Sequence, residues 1–199
     1  MSKQADRPEV VSADGLNELA QRRDWAIRCD ATCSFTFKEL GDLYALWRSK
    51  AGQYGIPKRS EMTARLLKPY MKSIAIHERV AGPGDTRRYR IRLMGDVATQ
   101  IAGEASGKFF DEFLPEKSVL IWNAMADAVL GHGAPLRILI RADEVDKSFL
   151  VGEMFNAPLL ADDSSASLNI ASVHFDGKLR WEDVVAQSHR QRAQMLTVD

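Results

Sequence analysis

Few side chains in this sequence stand where chemistry would need them. Gly103-Glu104-Ala105-Ser106-Gly107-Lys108 has the outline of a phosphate cradle, in which backbone amides and a lysine hold two phosphates. Such a loop needs four residues between its glycines and a Ser or Thr after the lysine; here three intervene and Phe109 follows. His77-Glu78 opens like a zinc-protease motif, but Ala81 stands where the second histidine belongs. That pair reads instead as the polar face of an edge-exposed strand. Asp111-Glu112 and Asp162-Asp163 are adjacent carboxylates with diverging side chains, ill placed for shared acid–base work. No serine lies in a nucleophile-elbow pattern. Cys29 and Cys33 are four apart and lack two further ligands nearby, so they read as structural thiols. The expectation is a protein without a catalytic residue or a metal site.

Binding offers more candidates than catalysis. Phe110, Trp122, Met125, Phe155 and Ile170 are of the types that line adaptable apolar pockets. Arg92 is the polar residue expected beside them. Arg88, Arg90 and Arg92 share one face of a strand, where they would meet an anion or pair with local acids such as Glu78; the pairing is the favoured reading. A large enclosed cavity with convergent polar groups such as Asn169 or His174 pointing inward would instead mark a small-molecule carrier or an enzyme, and a filled core would exclude that reading. Haem would need an axial His, Cys or Met. The longest inner helix carries Met125 but no histidine, and His132 falls just past its end.

The elements that must position these residues follow from apolar periodicity. Residues 36–50 repeat Phe37, Leu40, Leu43, Tyr44 and Trp47 at helical spacing, and Thr36 with Glu39 has capping-box spacing. Leu40, Leu43 and Trp47 form a stripe that needs a partner, and they are the expected dimerisation or docking residues. A shorter helix is expected over 60–67, ended by Pro69. From Ile74 the period becomes two. Residues 74–80 and 88–93 flank Gly82-Pro83-Gly84-Asp85, which predicts a hairpin. Short helical pieces over 96–113 precede a longer helix over 118–130 that Gly131 and Gly133 end. Strands follow over 136–141, 149–160 and 168–175, and Trp181, Val184 and Val185 begin a polar helix whose later part carries Arg190 and Arg192. The sum is an α+β fold: a five-stranded antiparallel sheet with helices on one face, N-terminal helices and a short C-terminal helix. The expected division is a mobile or partly helical lead-in over 1–35, a domain over 36–176 and a helical tail over 177–199.

Composition limits the partners. Lysine plus arginine equals aspartate plus glutamate at 27 each, so no basic excess draws the chain to nucleic acid or an anionic membrane. Apolar runs are too short for a membrane span, and the polar N-terminus lacks a secretory pattern, so a cytoplasmic location is expected.

Several local sequences together resemble one family. They are Ile56-Pro57-Lys58-Arg59-Ser60 through Leu66-Leu67-Lys68-Pro69, the strand ending Arg92-Leu93-Met94-Gly95, Ile101-Ala102-Gly103 through Phe109-Phe110, and Phe155-Asn156-Ala157-Pro158-Leu159-Leu160. Their order, from about 40 to 175, is similar to that of small, mostly single-domain bacterial PAS proteins. The resemblance implies a pocket between sheet and helices, a tendency to form homodimers, and signalling by altered contacts with a separate partner protein; members of the family hold haem, flavin, a small organic ligand or nothing in that pocket. It names no cofactor, and the sequence requires none. Flavin photochemistry like that of light-sensing PAS domains would need an inner-helix cysteine, whereas both cysteines lie upstream.

Overall fold

The computed structural model describes residues 12–52, 55–81, 87–97, 99, 103–141, 151–165, 167–177, 180–183 and 186. Its centre is one antiparallel sheet of β1 (Ile27–Asp30), β2 (Ile74–Ala81), β3 (Arg87–Met94), β4 (Leu136–Arg141), β5 (Val151–Leu159) and β6 (Leu168–Asp176), in the order β1-β4-β5-β6-β2-β3. The class is α+β, as expected, but the strands number six. The added strand comes from the expected lead-in. Ile27 and Cys29 are buried while Arg28 and Asp30 are not, and four residues are too few for the alternation to stand out in sequence. Pairing with β4 and the Asn17 side chain hold β1 in place; the latter donates to the Cys29 carbonyl and accepts from its N–H, both at 2.8 Å. Asn17 lies on α1 (Ala13–Arg22), which Ser12 caps by accepting from the Gly15 N–H, and whose Leu16, Leu19 and Ala20 are buried.

Helices cover both faces of the sheet, not one. Every residue of β5 is buried, which a one-sided sheet cannot achieve. On one face lie α1 and the longest helix, Glu116–His132, which follows the short α3 (Ala64–Leu67) and is α4 here. Leu16, Met125, Val129, Ile138, Met154 and Ala171 share a core there. On the other face α2 (Lys38–Lys50) packs Leu40, Leu43 and Trp47 against Ile76, Phe155 and Ile170. The α2 helix starts without the expected Thr36 cap: Phe37 is its N-cap and no local side chain bonds the first turn. The Glu153 carboxylate, arriving from β5, accepts from the backbone N–H groups of Thr36 and Phe37 at 2.9 Å. A helix N-terminus favours a negative charge, and here the charge comes from the sheet.

Two glycines explain sequence signals. Gly133 has φ 69°, the left-handed cap that ends α4, and its N–H donates to the Val129 carbonyl. Gly95 closes β3 where the 71–72 backbone crosses; a Cβ there would lie 2.2 Å from the Met71 carbonyl oxygen. The Gly82–Asp85 turn, Ile101-Ala102, the polar stretch 142–147, and Val184, Val185, Arg190 and Arg192 of the tail lie outside the described residues. Of that tail, Trp181 packs against Leu139 and Val151.

A buried polar cluster between the long helix and the sheet

The six expected pocket residues do not share one pocket. Strand alternation puts Met154 and Ala171 toward α4 but Phe155 and Ile170 toward α2. Phe110, Trp122 and Met125 stay on the α4 side, where the Phe110 and Trp122 rings lie 6.4 Å apart. Arg92 belongs to neither interior: half exposed, it pairs with Glu78 at 3.5 Å, and Arg90 reaches the same carboxylate at 2.6 Å. Arg88 bonds Asp111 through two nitrogens and lies 3.8 Å over the Phe109 ring. The arginine stripe is thus paired with local acids, the reading favoured from sequence.

What the α4 side does gather is polar. His77 faces Asn169 across the β2–β6 ladder, and Asn156 lies one row away opposite Ala171. Cross-strand partners lie on the same face within about 5 Å, and diagonal ones within reach of long side chains. All three are sealed, at 3%, 0% and 1% exposure. Yet His77 Nδ1, Asn156 Oδ1 and both polar atoms of Asn169 have no hydrogen-bond partner. Native interiors rarely leave such atoms unmatched. Burial lowers the His77 pKa to about 4, so the ring is neutral at physiological pH. Its plane stands edge-on to Phe110 at 5.2 Å, and Phe110 stacks on Tyr89 at 5.7 Å. The Tyr89 hydroxyl donates to Asp127 of α4 at 2.6 Å. Two amides and an imidazole thus share the buried sheet face on which α4 packs.

His77 was expected on an exposed strand edge. The edge is β3, and β2 is interior because β6 pairs with its other side. Asn169 points inward, one part of what the carrier reading asks for, whereas His174 lies on the opposite face with its ring 5.5 Å from Phe37. Asn156 drew no functional reading of its own. Its sequence signal is a lone amide inside an otherwise apolar strand.

The α2 side treats its buried polar groups differently. Arg137 donates from Nε to Glu153 at 2.6 Å and from Nη1 to Asp30 at 3.1 Å, while Glu153 caps α2. The Trp47 indole donates to the Pro158 carbonyl at 2.9 Å, and the Ser73 and Ser172 hydroxyls meet at 2.9 Å. Leu40, Leu43 and Trp47, expected to dock a partner, are 0%, 0% and 3% exposed. The sheet of the same chain already covers them, so the docking expectation is corrected. Both cysteines are buried. Burial is the main cause that lifts the Cys29 thiol far above its usual range and raises Cys33 to about 11, which makes both poor nucleophiles.

The family model described as PAS domain matches residues 36–172, more than half of the sequence. The chain belongs to the PAS domain family, and it is in general terms a sensory or interaction module. A solved structure of an RNA-binding light-oxygen-voltage receptor is similar at 13% identity with a TM-score of 0.36; the match covers 67% of this chain and 39% of that one. No curated protein matches the sequence. Among the described residues, no helix is long and apolar enough to cross a membrane.

Proposed function

We propose that the chain is a PAS sensory module whose contacts with a separate signalling protein respond to a small molecule bound between α4 and the sheet. The observation that carries this reading is the set of unpaired polar atoms on His77, Asn156 and Asn169, sealed from solvent on the sheet face that α4 covers. Because those atoms have no access to water, an occupant that reaches them displaces α4. That displacement changes the outer surface that a partner would read. Contact with a second copy or another protein then uses surface other than the α2 stripe, which the core consumes.

A carrier or enzyme using the same polar cluster is the second reading, supported by the inward amide of Asn169. Binding is preferred over catalysis because His77, held neutral and weakly basic by burial, is a poor proton acceptor near neutral pH. Native against denaturing mass spectrometry of freshly purified protein tests the proposal. A mass excess lost on denaturation is the expected result. A clean mass in both conditions, with no binding of small molecules on screening, would remove the ligand and leave a module acting through protein contact alone.

A further inference from the structure

Resting on the protein-contact part of that reading, we infer that residues 58–72 form a docking surface for an acidic segment of the partner protein, with an apolar residue among its carboxylates. Over this stretch Lys58, Arg59, Arg65, Lys68 and Lys72 stand against the single acid Glu61, in a chain whose bases and acids are equal in number. Even Glu61 is engaged by backbone: its carboxylate accepts from the Lys58 N–H at 2.7 Å. Elsewhere exposed bases pair with local acids, Lys38 with Asp42, Arg88 with Asp111, and Arg90 and Arg92 with Glu78. Among the described residues, none of the five bases over 58–72 makes an ion pair.

The surface is held in place from below. The Arg59 N–H donates to the Leu160 carbonyl and the Leu160 N–H to the Pro57 carbonyl, which fastens the start of the stretch to the end of β5. Thr63 caps α3 by accepting from the Leu66 N–H, and a 3-10 turn over Lys68–Tyr70 continues it. Met62, Leu67 and Tyr70 pack into the core shared with α2, which leaves Arg65, Lys68, Met71 and Lys72 exposed on the outer side. Met71, 38% exposed, gives this cationic side an adaptable apolar contact.

Charges without a local acid attract an anionic partner over about a Debye length, roughly 8 Å. Because the chain as a whole is neutral, its remainder carries the matching acidic excess. A duplex or a membrane is wider than this patch and meets that excess as well, whereas a short acidic protein segment need not. A single nucleic-acid strand gains from an aromatic ring to stack on, and here Tyr70 is turned to the core.

The experiment uses the full chain and three probes: a labelled twelve-residue peptide of glutamates with two leucines, a labelled twelve-nucleotide uridine oligomer, and vesicles of phosphatidylcholine with phosphatidylserine. Fluorescence anisotropy reads the first two and co-sedimentation the third. The peptide is expected to bind with a dissociation constant on the order of 10–100 μM and to weaken severalfold as salt rises from about 50 to about 300 mM. The triple change Arg65→Glu, Lys68→Glu and Lys72→Glu touches exposed residues only, so it should melt with the parent and lose about tenfold or more in affinity. Should it fail to fold, Lys68→Glu alone is read in the same way. Arg22→Glu with Lys117→Glu changes exposed bases elsewhere and should bind as the parent does. Met71→Ala should weaken the peptide about threefold and leave an all-glutamate peptide unaffected. No peptide binding at about 1 mM, or an equal loss in both sets of charge variants, overturns the docking surface. Tighter binding of the oligomer or the vesicles, lost with the same three bases, overturns the acidic protein as the occupant. A clean native mass with the peptide result intact removes the small ligand and leaves the docking surface standing. A retained ligand with a silent peptide does the reverse.

Discussion

Along β2, β4, β5 and β6 the two faces of one sheet handle buried polarity in opposite ways. Beneath α2, Arg137, Glu153 and Ser172 all have partners, and the carboxylate of Glu153 ties a strand, an arginine and a helix start into one unit. Beneath α4, His77, Asn156 and Asn169 sit equally deep with four polar atoms unmatched. Strand alternation puts the two regimes on neighbouring residues, such as Phe155 and Asn156. An unmatched buried group costs about 1–3 kcal/mol, whereas a matched one contributes about 1. The α2 face is therefore built for stability, and the α4 face gives up stability at His77, Asn156 and Asn169.

The largest expected effect tests the α2 face. Glu153→Leu leaves Arg137 buried without its closest carboxylate and removes the acceptor for two backbone amides at the start of α2. Removing one partner of a buried pair costs about 3–5 kcal/mol, which lowers the melting temperature by on the order of 10 °C. Urea unfolding measures it; a loss below about 1 kcal/mol would mean that the charged unit does not hold this face. Leu43→Ala follows at about 2–5 kcal/mol, from lost burial and the cavity left behind. Light scattering should show its association state unchanged. A shifted association state with stability intact would return the stripe to a docking role.

The next effect is a pH dependence that belongs to the α4 face. His77 is a histidine whose folded pKa, about 4, lies below its unfolded value near 6.5. Between those values the unfolded chain binds a proton that the folded chain refuses, so stability falls as pH drops through that window. The contribution reaches roughly 3 kcal/mol at pH 4. Carboxylates add their own acid sensitivity, so the measurement is the difference between the parent and His77→Leu from pH 7 to pH 4.5. Parallel stability curves for the two proteins would show that His77 already has access to solvent or a partner.

How far these faces could be read from sequence depended on range. Helical spacing from Phe37 to Trp47 located α2, and alternation located the five longer strands, because each signal is carried within one element. The strand β1 escaped because four residues hold two buried positions, and its place rests on Asn17 and on β4, more than a hundred residues away. Alternation also separates Phe155 from Met154. Which of them meets α4 depends on long-range packing, so the expected pocket mixed both faces. His77 looked like an edge residue for the same reason: the pairing of β2 with β6 spans most of the domain.

The smallest effects sharpen the comparison most, because they should differ in sign. Ser172→Ala on the α2 side removes one hydroxyl partner and should cost about 1 kcal/mol. Asn156→Leu on the α4 side replaces an unpaired amide by an apolar group of similar size, so it should be neutral or stabilising by about 1 kcal/mol. Both are read by chemical denaturation at neutral pH in protein with no added ligand. If Asn156→Leu costs as much as Ser172→Ala, then Asn156 is already matched, by an ordered water or a retained molecule, and the α4 face gives up nothing. If it stabilises, the asparagine is kept for something other than the fold, and the polar cluster beneath α4 carries a cost that the α2 face avoids.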